Sequence, residues 1–211
     1  MPQYDLDTTI INVGFARVGK STLTLQQSKL ILMFQLMRND IDADMLEFVY
    51  NRIIYDRSQS RAVLKTYAGL PMAFDEAYMT YDARTSMDQE QIELIRDMNF
   101  LASKRNIIFV NIQQFADLDK RILAKANVLQ LLYEQGNALL FIKSNNFPVV
   151  KSTWDFTWFQ KHERVLDNMD IALDYLVRVR GYNGIIKWKD IPKEDIVLNA
   201  YLKVKQKRQN I

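Results

Sequence analysis

The run Gly14-Phe15-Ala16-Arg17-Val18-Gly19-Lys20-Ser21-Thr22 places two glycines, an ammonium and two hydroxyls at the spacing G-x-x-x-x-G-K-[ST]. That pattern is suited to holding phosphate. Glycines let main-chain N–H groups approach phosphate oxygens closely. A helix that starts near Lys20 presents its unsatisfied N–H groups and positive dipole end to the same anion. Lys20 adds a mobile point charge for the β- and γ-phosphates, and the Ser21 hydroxyl is placed to ligate Mg2+. Thr22 completes the motif.

A second set of groups able to do chemistry closes the stretch Pro71-Met72-Ala73-Phe74-Asp75-Glu76-Ala77, an apolar run that ends in two acids. Read as a strand beside the phosphate loop, it carries Asp75 to the carboxyl end of a sheet, where ligands bind in open α/β folds. There Asp75 is expected to hold Mg2+. Glu76 is expected to polarise the water that attacks the γ-phosphate, accepting a proton as it approaches. A third set, Asn111, Gln113 and Gln114, follows the strand-like run Asn106 to Val110. Of these, Gln113 is favoured as the amide that touches the γ-phosphate or the attacking water.

The elements needed to position these groups are legible around them. Thr9 to Val13 is apolar and β-branched, readable as a buried strand entering the loop. Leu23, Leu25, Leu30, Ile31, Met33, Phe34 and Leu36 recur at roughly helical spacing behind it, with no glycine or proline before Gly69. The sequence therefore reads strand, glycine loop, helix. Met45 to Tyr55 supports helical and extended readings equally. Ser58 to Tyr67, Asp88 to Ser103, Asp117 to Ala126 and a basic stretch from Lys193 read as helices, and Val128 to Tyr133 and Ala138 to Ile142 as strands about a hairpin turn at Gly136. Alternating strands and helices predict an α/β fold with a mostly parallel sheet between helices. The expected division is a core over 1–145 and a small, mainly helical appendage over 146–211.

Together, Gly14 to Thr22, the strand with Asp75-Glu76, and Ile107 to Arg121 resemble the FtsK/HerA branch of RecA-like P-loop ATPases, nearest the small viral DNA-packaging ATPases and Zot-like proteins. The resemblance spans roughly residues 8 to 143. It implies a RecA-like fold, ATP and Mg2+ as ligands, and a ring of five or six subunits around double-stranded DNA, with capsid or membrane-vertex proteins as further partners. It also implies that Gln113 is the glutamine following the strand after the acids, and that an arginine acts across the subunit interface. Arg84, Arg105 and Arg121 are all candidates for that arginine. Two other functions stay open, a small nucleotide kinase and a nucleotide-bound assembly protein without significant turnover.

Composition narrows the field further. Hydrophobic residues at 48% and charged residues at 25% exclude a disordered chain. No apolar run reaches the roughly 18 residues of a membrane span. Asp5 and Asp7 stand where a signal peptide would be basic. Zero cysteines exclude disulfides and thiolate metal sites and fit an intracellular location; the resemblance implies the host cytoplasm or association with a virion. A single histidine, His162, excludes histidine metal clusters and is read as a surface or packing residue. Trp154, Trp158 and Phe159 are read as core packing. The net charge of +3 is mild, and Lys203, Lys205, Lys207 and Arg208 read as a solvated basic tail or, less readily, a DNA-facing surface.

Overall fold

The computed structural model describes residues 8–55, 57–67, 69–75, 106–114, 119–143, 151–153 and 181–209, with isolated positions at 155, 157, 161, 174 and 178. Glu76, Arg84, Arg105, the expected helix from Asp88 to Ser103, His162 and the tryptophans at 154 and 158 lie outside the described residues.

The chain enters the sheet with β1 (Thr8–Val13) and passes through the glycine loop into α1 (Lys20–Leu36). The stretch that reads both ways in sequence contains both forms. Helix α2 (Asp42–Glu47) widens into a π-helical turn, Phe48–Arg52, and then extends into a two-residue strand, β2 (Ile53–Ile54). Next come α3 (Arg57–Thr66), β3 (Pro71–Phe74), β4 (Ile107–Ile112) and the short α4 (Lys120–Leu123). The hairpin β5 (Val128–Glu134) and β6 (Asn137–Ile142) turns at Gly136, whose φ of 85° is cheap only for glycine. Strand β7 (Gly184–Lys187) and helix α5 (Ile196–Gln209) complete the described chain.

The sheet runs β2-β3-β4-β1-β5-β6-β7. The first five strands in that order are mutually parallel, and β6 and β7 are antiparallel additions. This is the α/β fold with a mostly parallel sheet between helices that the sequence predicts. Strand β4 lies between β3, which leads to Asp75, and β1, which feeds the loop. That insertion gives a parallel central strand with helices on both sides, and it brings Asn111 to the middle of the carboxyl edge.

Alternation along the strands builds the core on both faces. Ile11, Val13, Ile108, Val110 and Ile112 pack on one side with Leu64 of α3 and Ile122 of α4. Ile10, Phe109, Ala73 and Ile53 pack on the other with Leu25 and Leu32 of α1, Met45 of α2, and Val197, Ala200 and Tyr201 of α5. The expected boundary near 145 falls among residues outside those described. Beyond it, β7 continues the central sheet and α5 is packed into this second core. The apolar periodicity of α1 is only partly a core signal. Leu23, Leu25 and Leu32 are buried, whereas Leu30 and Phe34 are exposed.

The π-helical turn carries a buried cation. Arg52 pairs with Glu47 at 2.7 Å, donates to the Asp44 carbonyl at 3.0 Å, and lies over the Phe48 ring at 5.4 Å. Removing a buried charged partner strips these bonds and leaves a void. Arg52→Ala is expected to lower unfolding free energy by about 3 kcal/mol, read from urea denaturation, with Arg52→Met losing less because it refills the volume.

Candidate functional site

The loop's geometry follows from its residues. A Cβ on Gly14 would lie 2.7 Å from the Leu132 carbonyl oxygen and 2.9 Å from Val18, so only glycine lets the loop cross β5 this closely. Gly19, at φ 94°, is the left-handed residue that turns the chain into α1, with the Trp188 ring against it. Helix α1 therefore begins at Lys20, and its first residues, Lys20, Ser21 and Thr22, line the cleft. The Lys20 ammonium folds back over the loop, donating to the Gly14 carbonyl at 2.6 Å and the Phe15 carbonyl at 2.8 Å.

Asp75, one residue beyond β3, is buried and receives four donors. Its Oδ1 accepts from Ser21 Oγ at 2.9 Å and from Asn111 Nδ2 at 3.1 Å. Its Oδ2 accepts from the Tyr201 hydroxyl at 2.7 Å and from Lys205 Nζ at 3.1 Å. Behind it, Asn12 of β1 donates to Asn111 Oδ1 at 2.9 Å and to Thr24 Oγ1 at 3.0 Å, and Thr24 Oγ1 donates to Asn111 Oδ1 at 3.0 Å. This buried network ties β1, β3, β4 and α1 into one rigid floor.

Burial alone would push the Asp75 carboxyl upward. The Lys205 charge and the hydrogen bonds from Tyr201, Asn111 and Lys205 outweigh it and hold the group below its ordinary value. A carboxyl lowered in the folded state stabilises the fold above its unfolded value of about 4. That contribution disappears as pH falls through the lower folded value. Wild-type protein should therefore lose thermal stability more steeply below about pH 4 than Asp75→Asn, measured as Tm against pH. Parallel curves would remove Asp75 from the acid response.

These groups line one cleft of about 550 Å3 at the carboxyl edge of the parallel strands. Of the residues expected from the sequence, Ala16, Arg17, Gly19, Lys20, Ser21, Thr22, Asp75 and Gln113 line it together. Gly14, Phe15 and Val18 complete the loop around it. Gln113 is exposed at its rim, whereas Asn111, the less favoured amide, contacts Asp75 directly. Arg121 forms a pair with Asp119 of its own chain at 2.6 Å. Lys205, read from sequence as part of a basic tail, and Tyr201, which the sequence does not single out, are unexpected members; Lys203 and Lys207 on the same helix are exposed.

The donor set fits Mg2+. A hydroxyl and a carboxylate, both hard oxygen donors, converge within 2.9 Å at the mouth of the phosphate loop. Among the described residues there is no cluster of three or more acidic, histidine or cysteine side chains. Mg2+ does not require one, since it keeps waters and takes its remaining ligands from substrate phosphates.

No family model and no curated protein matches the sequence. Solved structures do. The genome packaging NTPase B204 of Sulfolobus turreted icosahedral virus 2, in complex with ATP-gammaS, is similar at 14% identity and a TM-score of 0.48, over 66% of this chain and 94% of that one. B204 of Sulfolobus turreted icosahedral virus, a DNA-packaging ATPase, is similar at 15% identity and a TM-score of 0.47, over 89% of this chain and 100% of that one. The N-terminal domain of zonular occludens toxin from Neisseria meningitidis is similar at 15% identity and a TM-score of 0.42, over 65% of this chain and 84% of that one. These structural neighbours are a viral genome-packaging NTPase and a Zot domain, the two kinds of protein named in the sequence resemblance.

Proposed function

We propose that this chain is a Mg2+-dependent P-loop ATPase that translocates double-stranded DNA, of the kind that packages viral or mobile-element genomes. The observation that carries the ATPase reading is the convergence of Lys20 and Ser21, from the start of α1, with Asp75, from the end of β3, on one cleft. A triphosphate entering that cleft meets the loop N–H groups and the α1 dipole, and Lys20 exchanges its two carbonyl acceptors for phosphate oxygens. Ser21 and Asp75 would hold Mg2+, which supplies charge neutralisation at the β- and γ-phosphates. Glu76, following Asp75, orients the attacking water and accepts its proton, and Gln113 at the rim contacts the γ-phosphate.

Double-stranded DNA as the partner and a ring of five or six subunits belong to the same proposal, with an arginine completing the neighbouring site. The stripe of Leu30, Phe34 and Met37, exposed by 65%, 79% and 84%, is an apolar surface on and beyond α1 that a second copy would bury. A location in the host cytoplasm or with the virion goes with this reading; among the described residues no helix is long and apolar enough to cross a membrane. The test is phosphate release with and without duplex DNA, run beside light scattering. DNA-stimulated release from an oligomer is expected. Slow release indifferent to DNA would favour the assembly protein, and phosphoryl transfer to a nucleotide acceptor would favour the kinase.

A further inference from the structure

The C-terminal helix holds a cation inside the phosphate cleft. Asp195 caps α5 by accepting from the Val197 and Leu198 N–H groups at 2.8 and 2.9 Å, and Val197, Ala200 and Tyr201 anchor the helix in the core. Tyr201 and Lys205 are one helical turn apart, so both reach the same carboxylate oxygen of Asp75. Lys205 Nζ also lies 3.2 Å from the Tyr201 hydroxyl. All four donor positions around Asp75 are filled, one from α1, one from β4 and two from α5. A divalent cation therefore cannot reach this carboxylate without displacing a donor. The donor it repels is the ammonium.

We infer that Lys205 is a second phosphate-binding lysine supplied by the same chain: it serves as the counter-ion of Asp75 in the metal-free site and transfers to the triphosphate when a divalent cation takes the carboxylate. This rests on the reading of Lys20, Ser21 and Asp75 as a triphosphate site. Three observations support the transfer. The side chain is 24% exposed and lines the cleft that Lys20 and Ser21 also line. Its flexible stem lets the charge move while the helix stays packed. Once a divalent cation holds Asp75, a triphosphate beside Lys20 offers the ammonium a new anionic partner in the cleft, where Asp190, also in the lining, already accepts from Gln135 Nε2 at 2.7 Å. The helix thus senses the filled site through one side chain.

The test titrates ATPγS binding against Mn2+ by fluorescence or calorimetry, comparing wild type with Lys205→Met, Lys205→Arg and Lys20→Ala. Losing one charge-assisted contact should weaken ATPγS binding at saturating Mn2+ by about tenfold in Lys205→Met. The same variant should need several-fold less Mn2+ for half-maximal binding, because the competing ammonium is gone. Lys205→Arg should keep both values near wild type. A purely structural role would weaken both affinities together, so the opposite signs identify the exchange. Unchanged ATPγS affinity in Lys205→Met, or a raised Mn2+ requirement, overturns this inference while Lys20-dependent binding by the wild type leaves the triphosphate site standing. Absence of ATPγS binding by the wild type at any Mn2+ concentration overturns both.

Discussion

Glu76→Gln is expected to reduce ATP turnover by about a hundredfold to a thousandfold while leaving ATPγS affinity within about twofold of wild type. The amide keeps the size of the carboxylate and can still hold a water by hydrogen bonding, but it cannot accept the proton that the attacking water must lose. The assignment rests on position. Asp75 is fixed at the carboxyl end of β3 by Ser21 and Asn111, and Glu76 is the next residue along the chain. A steady-state phosphate assay paired with ATPγS titration separates chemistry from binding. Hydrolysis retained in Glu76→Gln would take Glu76 out of the mechanism.

Lys20→Ala has the opposite signature. Binding should fall about a hundredfold, and turnover with it, because the charge that meets the β- and γ-phosphates is gone. Its ammonium now bonds the Gly14 and Phe15 carbonyls, so the substitution also frees the loop it closes. A modest drop in Tm should therefore accompany the loss of affinity. Lys20→Arg should rescue poorly, since a planar fork cannot replace a compact ammonium in a loop this tight. Equal nucleotide affinity in wild type and Lys20→Ala would mean that the cleft binds no triphosphate.

The glycine loop and the Asp75 strand were legible because local chemistry dictates them. Gly14 and Gly19 answer to close approach and a left-handed turn, and the apolar run before Asp75 has one way to reach solvent. The π-helical turn at Phe48–Arg52 was not, since its apolar spacing satisfies two periods at once. Strand insertion is a non-local choice, so nothing in Ile107 to Ile112 announces that β4 separates β1 from β3. The same limit explains Asn111. Its registry opposite Asn12 is set by pairing across 99 residues of chain, and only that pairing points its amide at Asp75.

Lys205 shows the limit most clearly. In sequence it is one cation in the run Lys203, Lys205, Lys207 and Arg208, and a helix rich in lysine reads as a solvated face. A signal was present in Tyr201 and Lys205 at i,i+4, on the side of α5 that also carries Val197. That spacing marks an inward face but not what it faces. The partner lies 130 residues away, and only the packing of α5 against α2 and the π-helical turn supplies it.

The central claim is that one triphosphate sits where Lys20, Ser21 and Asp75 converge. A crystal structure grown with ATPγS and Mg2+ tests it most directly. The account predicts density for the phosphates against the N-terminus of α1, with Lys20 and Lys205 both drawn from their present partners toward it. Nucleotide density elsewhere on the molecule, or no density in the cleft at saturating ATPγS, would contradict it; ATPγS bound in the cleft with Lys205 still on Asp75 would overturn the Lys205 transfer alone.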